Sequence, residues 1–119
     1  MAAAPAEAVA KPAAAACAFA NGTTGTSGAN KHGLPEFFGG SEFTKPSATT
    51  CHDFNLWSGQ VGVSYEGWLY YGDGNWGACT EGYVRYSGGS ILLCSNVAAG
   101  TIEGVTSSNG SGQGIEIED

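Results

Sequence analysis

The stretch VGVSYEGWLYYGDGNW, residues 61–76, decides the fold class of this chain. Residues 61–65 alternate apolar with small or polar side chains, which is the period of a half-buried β-strand. Residues 68–71 continue with aromatic and apolar side chains that favour strands. The run GDGN, residues 72–75, consists of residue types that readily adopt the positive φ angles of a tight turn. The stretch therefore predicts a β-hairpin.

Two further strand pairs follow the first hairpin along the chain. Residues 83–86 and 90–94 flank the turn sequence SGG and predict a second hairpin. Its second strand is continuously apolar, so we expect it to be buried on both faces. Residues 101–106 and 114–118 form a third candidate pair around a polar, glycine-containing turn.

The spacing of these strands predicts an all-β fold, a small antiparallel sandwich or barrel of six or seven strands. Residues 21–50 are punctuated by Gly and Pro and predict a long loop with only short strands. Residues 1–16 are alanine-rich, but Pro, Glu and Lys interrupt the apolar run that a signal peptide needs. We therefore expect a flexible N-terminal tail, residues 1–16, and a single β domain, residues 17–119.

The chain has four cysteines, and none of their spacings is typical of a zinc knuckle or a thioredoxin-like centre. A small glycine-rich chain buries limited apolar area, and two disulfides of about 3 kcal/mol each would offset that limit. Three pairings are possible, and we favour the sequential one because each bridge then closes one local unit. Disulfides also predict a secreted, extracellular protein. The predicted disulfide residues are Cys17, Cys51, Cys79 and Cys94.

The net charge of −7 makes nucleic acid an unsuitable partner, because four scattered basic residues cannot neutralise a row of phosphates. No apolar run approaches the length of a membrane-spanning helix. We expect a monomer that binds neither nucleic acid nor membrane and uses no cofactor. The acidic end formed by Glu116, Glu118 and Asp119 is expected to be a solvated tail.

Catalytic chemistry has little support in the sequence. Cys51, His52 and Asp53 are adjacent, but neighbouring residues of an extended strand point to opposite faces and cannot form a relay. Glu66 and Asp73 are the one carboxylate pair that invites comparison with a glycosidase. The turn that contains Asp73 also resembles part of a calcium-binding loop, but it lacks the distal Glu ligand of such loops. We therefore predict no enzyme, no catalytic residues and no metal site.

Aromatic side chains are the strongest functional signal, since eight Trp and Tyr residues fall within residues 57–86. Strand alternation should send Trp68 and Tyr70 to one face and Leu69 and Tyr71 to the other. If these aromatic residues are exposed, they can anchor a protein interface or stack on sugar rings. The structural alternative is that they fill the core of a protein that is poor in leucine. The predicted binding residues are Trp57, Trp68, Leu69, Tyr70, Tyr71, Asp73 and Trp76.

Residues 94–102, CSNVAAGTI, resemble the cysteine-centred strand and following turn of the small streptomycete α-amylase inhibitors of the tendamistat family. That resemblance implies a two-disulfide, six-stranded β-sandwich. The family inhibits through a Trp-Arg-Tyr triplet on an exposed hairpin, which looks like Trp68-Leu69-Tyr70 here, with Leu69 at the arginine position. Crystallin-like proteinase inhibitors and killer-toxin-like proteins are similar in size and in Gly, Tyr and Trp content.

The leading functional hypothesis is a secreted inhibitor that inserts its aromatic hairpin, residues 68–76, into the active-site cleft of an extracellular hydrolase, an amylase or a protease. The alternative is a carbohydrate or cell-surface binding module that uses the same Trp and Tyr residues on a polysaccharide. A toxin or structural surface protein is the third reading.

Overall fold

The computed structural model describes residues 17–26, 35–37, 39–47, 51–110 and 112–119, and the predicted tail, residues 1–16, lies outside them. These residues form nine strands and one 3₁₀ turn, Gly39–Ser41. The strands are β1 Phe19–Thr23, β2 Phe43–Thr44, β3 Phe54–Ser58, β4 Ser64–Gly72, β5 Asn75–Ala78, β6 Val84–Arg85, β7 Ile91–Cys94, β8 Ile102–Ser107 and β9 Gly114–Glu118.

The strands build two antiparallel sheets. The first sheet has the order β1-β9-β3-β7, and the second has the order β2-β8-β4-β5, with β6 also paired to β4. The all-β sandwich prediction is confirmed. The described residues hold nine strands rather than six or seven because β2 and β6 are only two residues long, too short to produce a periodic sequence pattern.

The core lies between the two sheets and follows the two-residue period of the strands. Phe54, Leu56 and Ile117 face it from the first sheet, and Tyr65 and Val105 face it from the second, each at most 1% exposed. Gly67 lies where β4 approaches β7, and a Cβ atom there would collide with the Cys94 sulfur. The glycine therefore allows the sheets to approach closely around the second disulfide.

The predicted first hairpin is confirmed in β4 and β5. Tyr70 pairs with Trp76 and Gly72 with Asn75 across the turn. Asp73 and Gly74 have φ angles of 54° and 77°. Positive φ at both central residues defines the type I′ turn, whose twist matches that of the flanking strands.

The second predicted hairpin is wrong. β6 pairs with β4 in the second sheet, whereas β7 pairs with β3 in the first. Gly88 and Gly89, with φ of 112° and 71°, lie in the connection that carries the chain between sheets. Leu93 is fully buried whereas its neighbour Leu92, on the opposite face of β7, is 37% exposed, so the strand is not buried on both faces.

The third predicted pair is wrong for the same reason. β8 pairs with β2 and β4, whereas β9 pairs with β1 and β3, so this turn also changes sheets. β9 is an interior strand, and Glu118 and Asp119 are 8% and 2% exposed. The prediction of a solvated acidic tail is therefore wrong for these two residues, because β9 pairs on both sides and Asp119 forms two 2.7 Å backbone hydrogen bonds with Ala18.

The disulfides join Cys17 to Cys51 and Cys79 to Cys94, which confirms the sequential pairing. Cys79 follows β5 of the second sheet and Cys94 ends β7 of the first, so this bridge ties the two sheets together. Two such bridges are typical of proteins from oxidising compartments.

Candidate functional site

The outer face of the second sheet carries an aromatic cluster, which we call the aromatic face. It begins with alternate residues of β4, because Trp68 contacts Thr106 and Tyr70 contacts Trp76, whereas Leu69 packs against the core. The predicted division of these side chains between two faces is confirmed. The members of the aromatic face are Phe37, Trp68, Tyr70, Trp76 and Tyr83.

Trp76 lies at the centre of a three-ring stack. Its ring centroid is 4.3 Å from that of Phe37 and 5.2 Å from that of Tyr70. Phe37 is only 6% exposed, and its ring covers Gly25 and Gly104 so closely that a Cβ atom at either glycine would overlap it. The two glycines therefore leave the space that the Phe37 ring occupies. The same ring packs against Trp76 and so supports the hairpin.

Hydrogen bonds fix the other rings. The indole N–H of Trp68 donates to Thr106 Oγ1 at 2.9 Å, and the Tyr83 hydroxyl lies 3.0 Å from the same oxygen. The Gly74 amide donates to the Tyr70 hydroxyl at 3.0 Å, which ties the turn to its own strand. Each ring thus has a partner that restricts its rotation, so little side-chain entropy is left to lose on binding.

The hairpin tip, residues 71–75, is the most exposed part of this region. Tyr71 is 71% exposed, and Asp73, Gly74 and Asn75 are exposed beside it. The Tyr71 ring rests against Gly77 of the opposing strand, where a Cβ atom would collide with it. The tip therefore presents an aromatic ring, a carboxylate and backbone groups on a regular turn.

Two predicted binding residues lie elsewhere. Trp57 is on β3 of the first sheet, half-buried, with its ring edge-on to Phe19 at 5.6 Å. Leu69 faces the core rather than the solvent side of the hairpin. The structure therefore brings together Trp68, Tyr70 and Trp76, and places Tyr71 and Asp73 at the adjoining tip.

Part of the aromatic content fills the core, as the structural alternative expected. Tyr65 and Tyr86 are 0% and 6% exposed and meet edge to face at 6.4 Å. The Tyr86 hydroxyl donates to the Trp57 carbonyl at 2.7 Å, and the Gln60 amide donates to the Tyr65 hydroxyl at 2.7 Å. Both phenols are thereby satisfied inside the sandwich.

The candidate catalytic groups do not converge. Cys51 is in a disulfide, and Asp53 accepts a 3.0 Å hydrogen bond from the Asn96 amide. Glu66 and Asp73 lie near opposite ends of β4, about 20 Å apart at the usual strand rise, well beyond the separation of a glycosidase carboxylate pair. Burial raises the pKa of Glu66 above its ordinary value.

Two further kinds of site are not found among the described residues. No group of three or more His, Cys, Asp and Glu side chains there is arranged to hold a metal ion. In the same part of the chain, no helix has the length and apolar character needed to cross a membrane.

Sequence reasoning missed one cluster, which we call the buried triad: Lys45, Glu103 and Asp119, exposed by 2%, 0% and 2%. Lys45 Nζ lies 3.2 Å from Asp119 Oδ1 and donates to the Asp53 carbonyl at 2.8 Å. The only sequence signal is Glu103, which takes an inward position two residues before Val105 on β8.

Comparison of the chain with protein-family models, with curated proteins and with solved structures gives no match. The functional assignment therefore depends on the geometry described above.

Proposed function

We propose that this protein is a secreted inhibitor that inserts the tip of the β4–β5 hairpin into the active-site cleft of an extracellular hydrolase. The single observation that carries the proposal is the exposed tip on a rigid support. Tyr71 is 71% exposed near the end of the β4–β5 hairpin, at the register shift between Tyr70 and Gly72 that precedes the type I′ turn. An exposed aromatic ring of this kind is typical of an interface anchor.

Rigidity supports inhibition because association must overcome the entropy of ordering the interface. Mobile side chains lose about 0.5–1.5 kcal/mol each when they become ordered. The Tyr70–Gly74 hydrogen bond and the contacts of Trp76 with Phe37 and Tyr70 order the hairpin before any partner arrives. The Cys79–Cys94 disulfide fastens its base. A preorganised tip is therefore suited to tight occlusion of a cleft.

The shape of the aromatic face favours a cleft over a flat sugar surface. Trp76 is tilted by 49° to Phe37 and by 53° to Tyr70. Stacking on a polysaccharide chain needs aromatic rings whose faces are free and lie roughly in one plane. Tilted rings that pack against one another form a ridge instead, which is complementary to a groove in a partner.

Charge favours a peptidase over a glycosidase as the target. The tip carries the carboxylate of Asp73, and the chain has a net charge of −7. Glycosidase clefts contain a catalytic carboxylate pair, so an acidic tip would meet like charge there. Leu69, at the position of the arginine in the amylase-inhibitor triplet, packs against the core and presents no basic group. We therefore assign a secreted peptidase as the target class.

The test is an inhibition panel of trypsin, chymotrypsin, subtilisin, thermolysin and α-amylase. We expect the native protein to inhibit a peptidase and the Tyr71→Ala/Asp73→Ala variant to lose at least tenfold in affinity with an unchanged melting temperature. Val61→Ala is the matched control, because Val61 is 69% exposed but precedes β4, at the opposite end from the tip. It should inhibit like the native protein.

Two outcomes would overturn this assignment. The first is equal inhibition by the native protein and the tip variant, which would exclude the hairpin tip. The second is no inhibition of any enzyme together with binding to insoluble chitin, cellulose or peptidoglycan. That result would establish the carbohydrate-binding alternative instead.

A further inference from the structure

The buried triad connects the two sheets through the core. Lys45 follows β2 and Glu103 lies on β8, both in the second sheet, whereas Asp119 follows β9 of the first. Lys45 and Asp119 are each 2% exposed and Glu103 is fully buried. An amine and a carboxyl group are thus in contact at 3.2 Å in a site from which water is excluded.

If Glu103 and Asp119 were both ionised, the buried triad would have too few hydrogen-bond donors for their oxygens. The four side-chain oxygens of Glu103 and Asp119 would then have no hydrogen-bond donor in the described part of the chain beyond the Lys45 ammonium. Two negative charges would also share one positive charge at low dielectric, which is unfavourable. One carboxyl group must therefore keep its proton.

That proton belongs to Glu103. Its burial raises its pKa to about 10, and a hydrogen bond with Asp119 and the charge of Asp119 act in the same direction, opposed by Lys45. At neutral pH the Glu103 carboxyl group is therefore neutral and carries a proton that it can donate. The buried triad therefore holds an amine, a carboxyl group that it can attack and a proton donor together, out of contact with bulk water.

We propose that Lys45 and Asp119 become joined by an isopeptide bond in the folded protein, with Glu103 as the group that transfers the protons. The proposal is independent of the hairpin and of its target. The bond would link the second sheet covalently to the end of β9.

The reaction begins with transfer of one proton from the Lys45 ammonium to the Asp119 carboxylate, which gives a neutral amine and a neutral acid. The Nζ lone pair then attacks Cγ of Asp119, and the C–N bond forms while the carbonyl electron pair moves onto oxygen. Glu103 donates its proton to the departing hydroxyl group as the C–O bond breaks. The remaining excess amine proton moves to the Glu103 carboxylate, so one water leaves and Glu103 ends protonated.

Three features of the site favour this step. Lys45 Nζ lies 3.2 Å from an oxygen of the carboxyl group that it would attack, so the reaction requires no encounter between separate molecules. The product replaces a buried charge pair by a neutral amide, which removes the desolvation penalty of two ions. Exclusion of bulk water from residues that are at most 2% exposed also opposes hydrolysis of the amide.

The test is the mass of the folded, then reduced and alkylated, full chain. We expect it to be lower than the sequence mass by one water. Because Pro follows Lys11 and Lys45, trypsin should cleave only after Lys31 and Arg85. The peptides 32–85 and 86–119 should therefore remain joined as one species. A full sequence mass with two separate peptides would overturn the proposal.

Variants assign the roles of the individual groups. Glu103→Gln should abolish the linkage, because glutamine matches the shape of the neutral acid but cannot transfer its proton. Asp119→Asn should lose ammonia instead of water, because the side-chain amide nitrogen becomes the leaving group. Glu118→Gln is the matched control, since Glu118 is also buried but accepts a 2.7 Å hydrogen bond from Ser90, and it should link like the native chain. Linkage in Glu103→Gln at the native rate would disprove the role of Glu103.

Discussion

Glu103 should make this protein less stable as the pH rises. Burial raises its pKa from 4.5 to about 10, so the folded chain keeps a proton that the unfolded chain releases. Between these two values the folded state binds more protons than the unfolded state. The free energy of unfolding should therefore fall by about 1.4 kcal/mol for each pH unit.

The perturbation that isolates this effect is Glu103→Gln, which keeps the shape of the neutral acid and removes its titration. From about pH 5 to about pH 7 the native protein should lose about 3 kcal/mol of stability through this group alone. Glu103→Gln should lose that much less over the same interval. Because burial is the main cause of the shift, the slope is expected with or without the Lys45–Asp119 bond.

The measurement is urea unfolding, followed by tryptophan fluorescence, at about pH 5, 6, 7 and 8 with both disulfides intact. Glu118→Gln serves as the control, because Glu118 is 8% exposed and its carboxylate already accepts a hydrogen bond from Ser90. It should keep the native slope. Equal slopes for the native protein and Glu103→Gln would show that Glu103 is ionised in the folded protein and carries no proton in the buried triad.

Three other perturbations test the architecture. Gly104→Ala should destabilise the fold by about 1–3 kcal/mol, because the new methyl group overlaps the Phe37 ring, and thermal unfolding with altered tryptophan fluorescence measures this. Gly74→Ala should lower the unfolding free energy by only about 1 kcal/mol, because its φ is 77° but nothing lies within 4 Å of a Cβ atom there; a larger loss would mean that the turn is misassigned. Replacing Cys79 and Cys94 together by Ala should remove about 3 kcal/mol, the chain-entropy value for their separation of 15 residues, and an unchanged urea midpoint would contradict the structural role of that bridge.

The features that could be predicted from sequence are those whose physical cause is local. The β4–β5 hairpin follows from Asp73-Gly74, because positive φ at two adjacent residues is a property of those residue types. The common face of Trp68 and Tyr70 follows from the two-residue period of any strand. The alternation Phe54-Asn55-Leu56 is an equally local signal for β3, although the strand pairs predicted from the sequence do not include it.

Partners far apart in the chain could not be predicted in this way. The segments 87–89 and 108–110 contain the same glycine-containing sequences as hairpin turns, yet β6 and β7, and likewise β8 and β9, lie in different sheets. A turn sequence specifies a change of direction, whereas the choice of sheet depends on which strand edges are available after the others have paired. For the same reason the sequence alone groups Trp57 with the aromatic hairpin, although β3 belongs to the opposite sheet.

Composition and local sequence pattern were sufficient to predict the all-β fold class, the disulfides and the aromatic hairpin. Each of these depends mainly on the residue types present or on their order within a short segment. Only the tertiary structure decided that the Phe37 ring packs over Gly104 and that Lys45 contacts Asp119 beside Glu103. No short segment contains these partners, and their burial together keeps the Glu103 carboxyl group protonated. The reason is that exclusion of water changes the free energy of a charge by more than any neighbour in the sequence does.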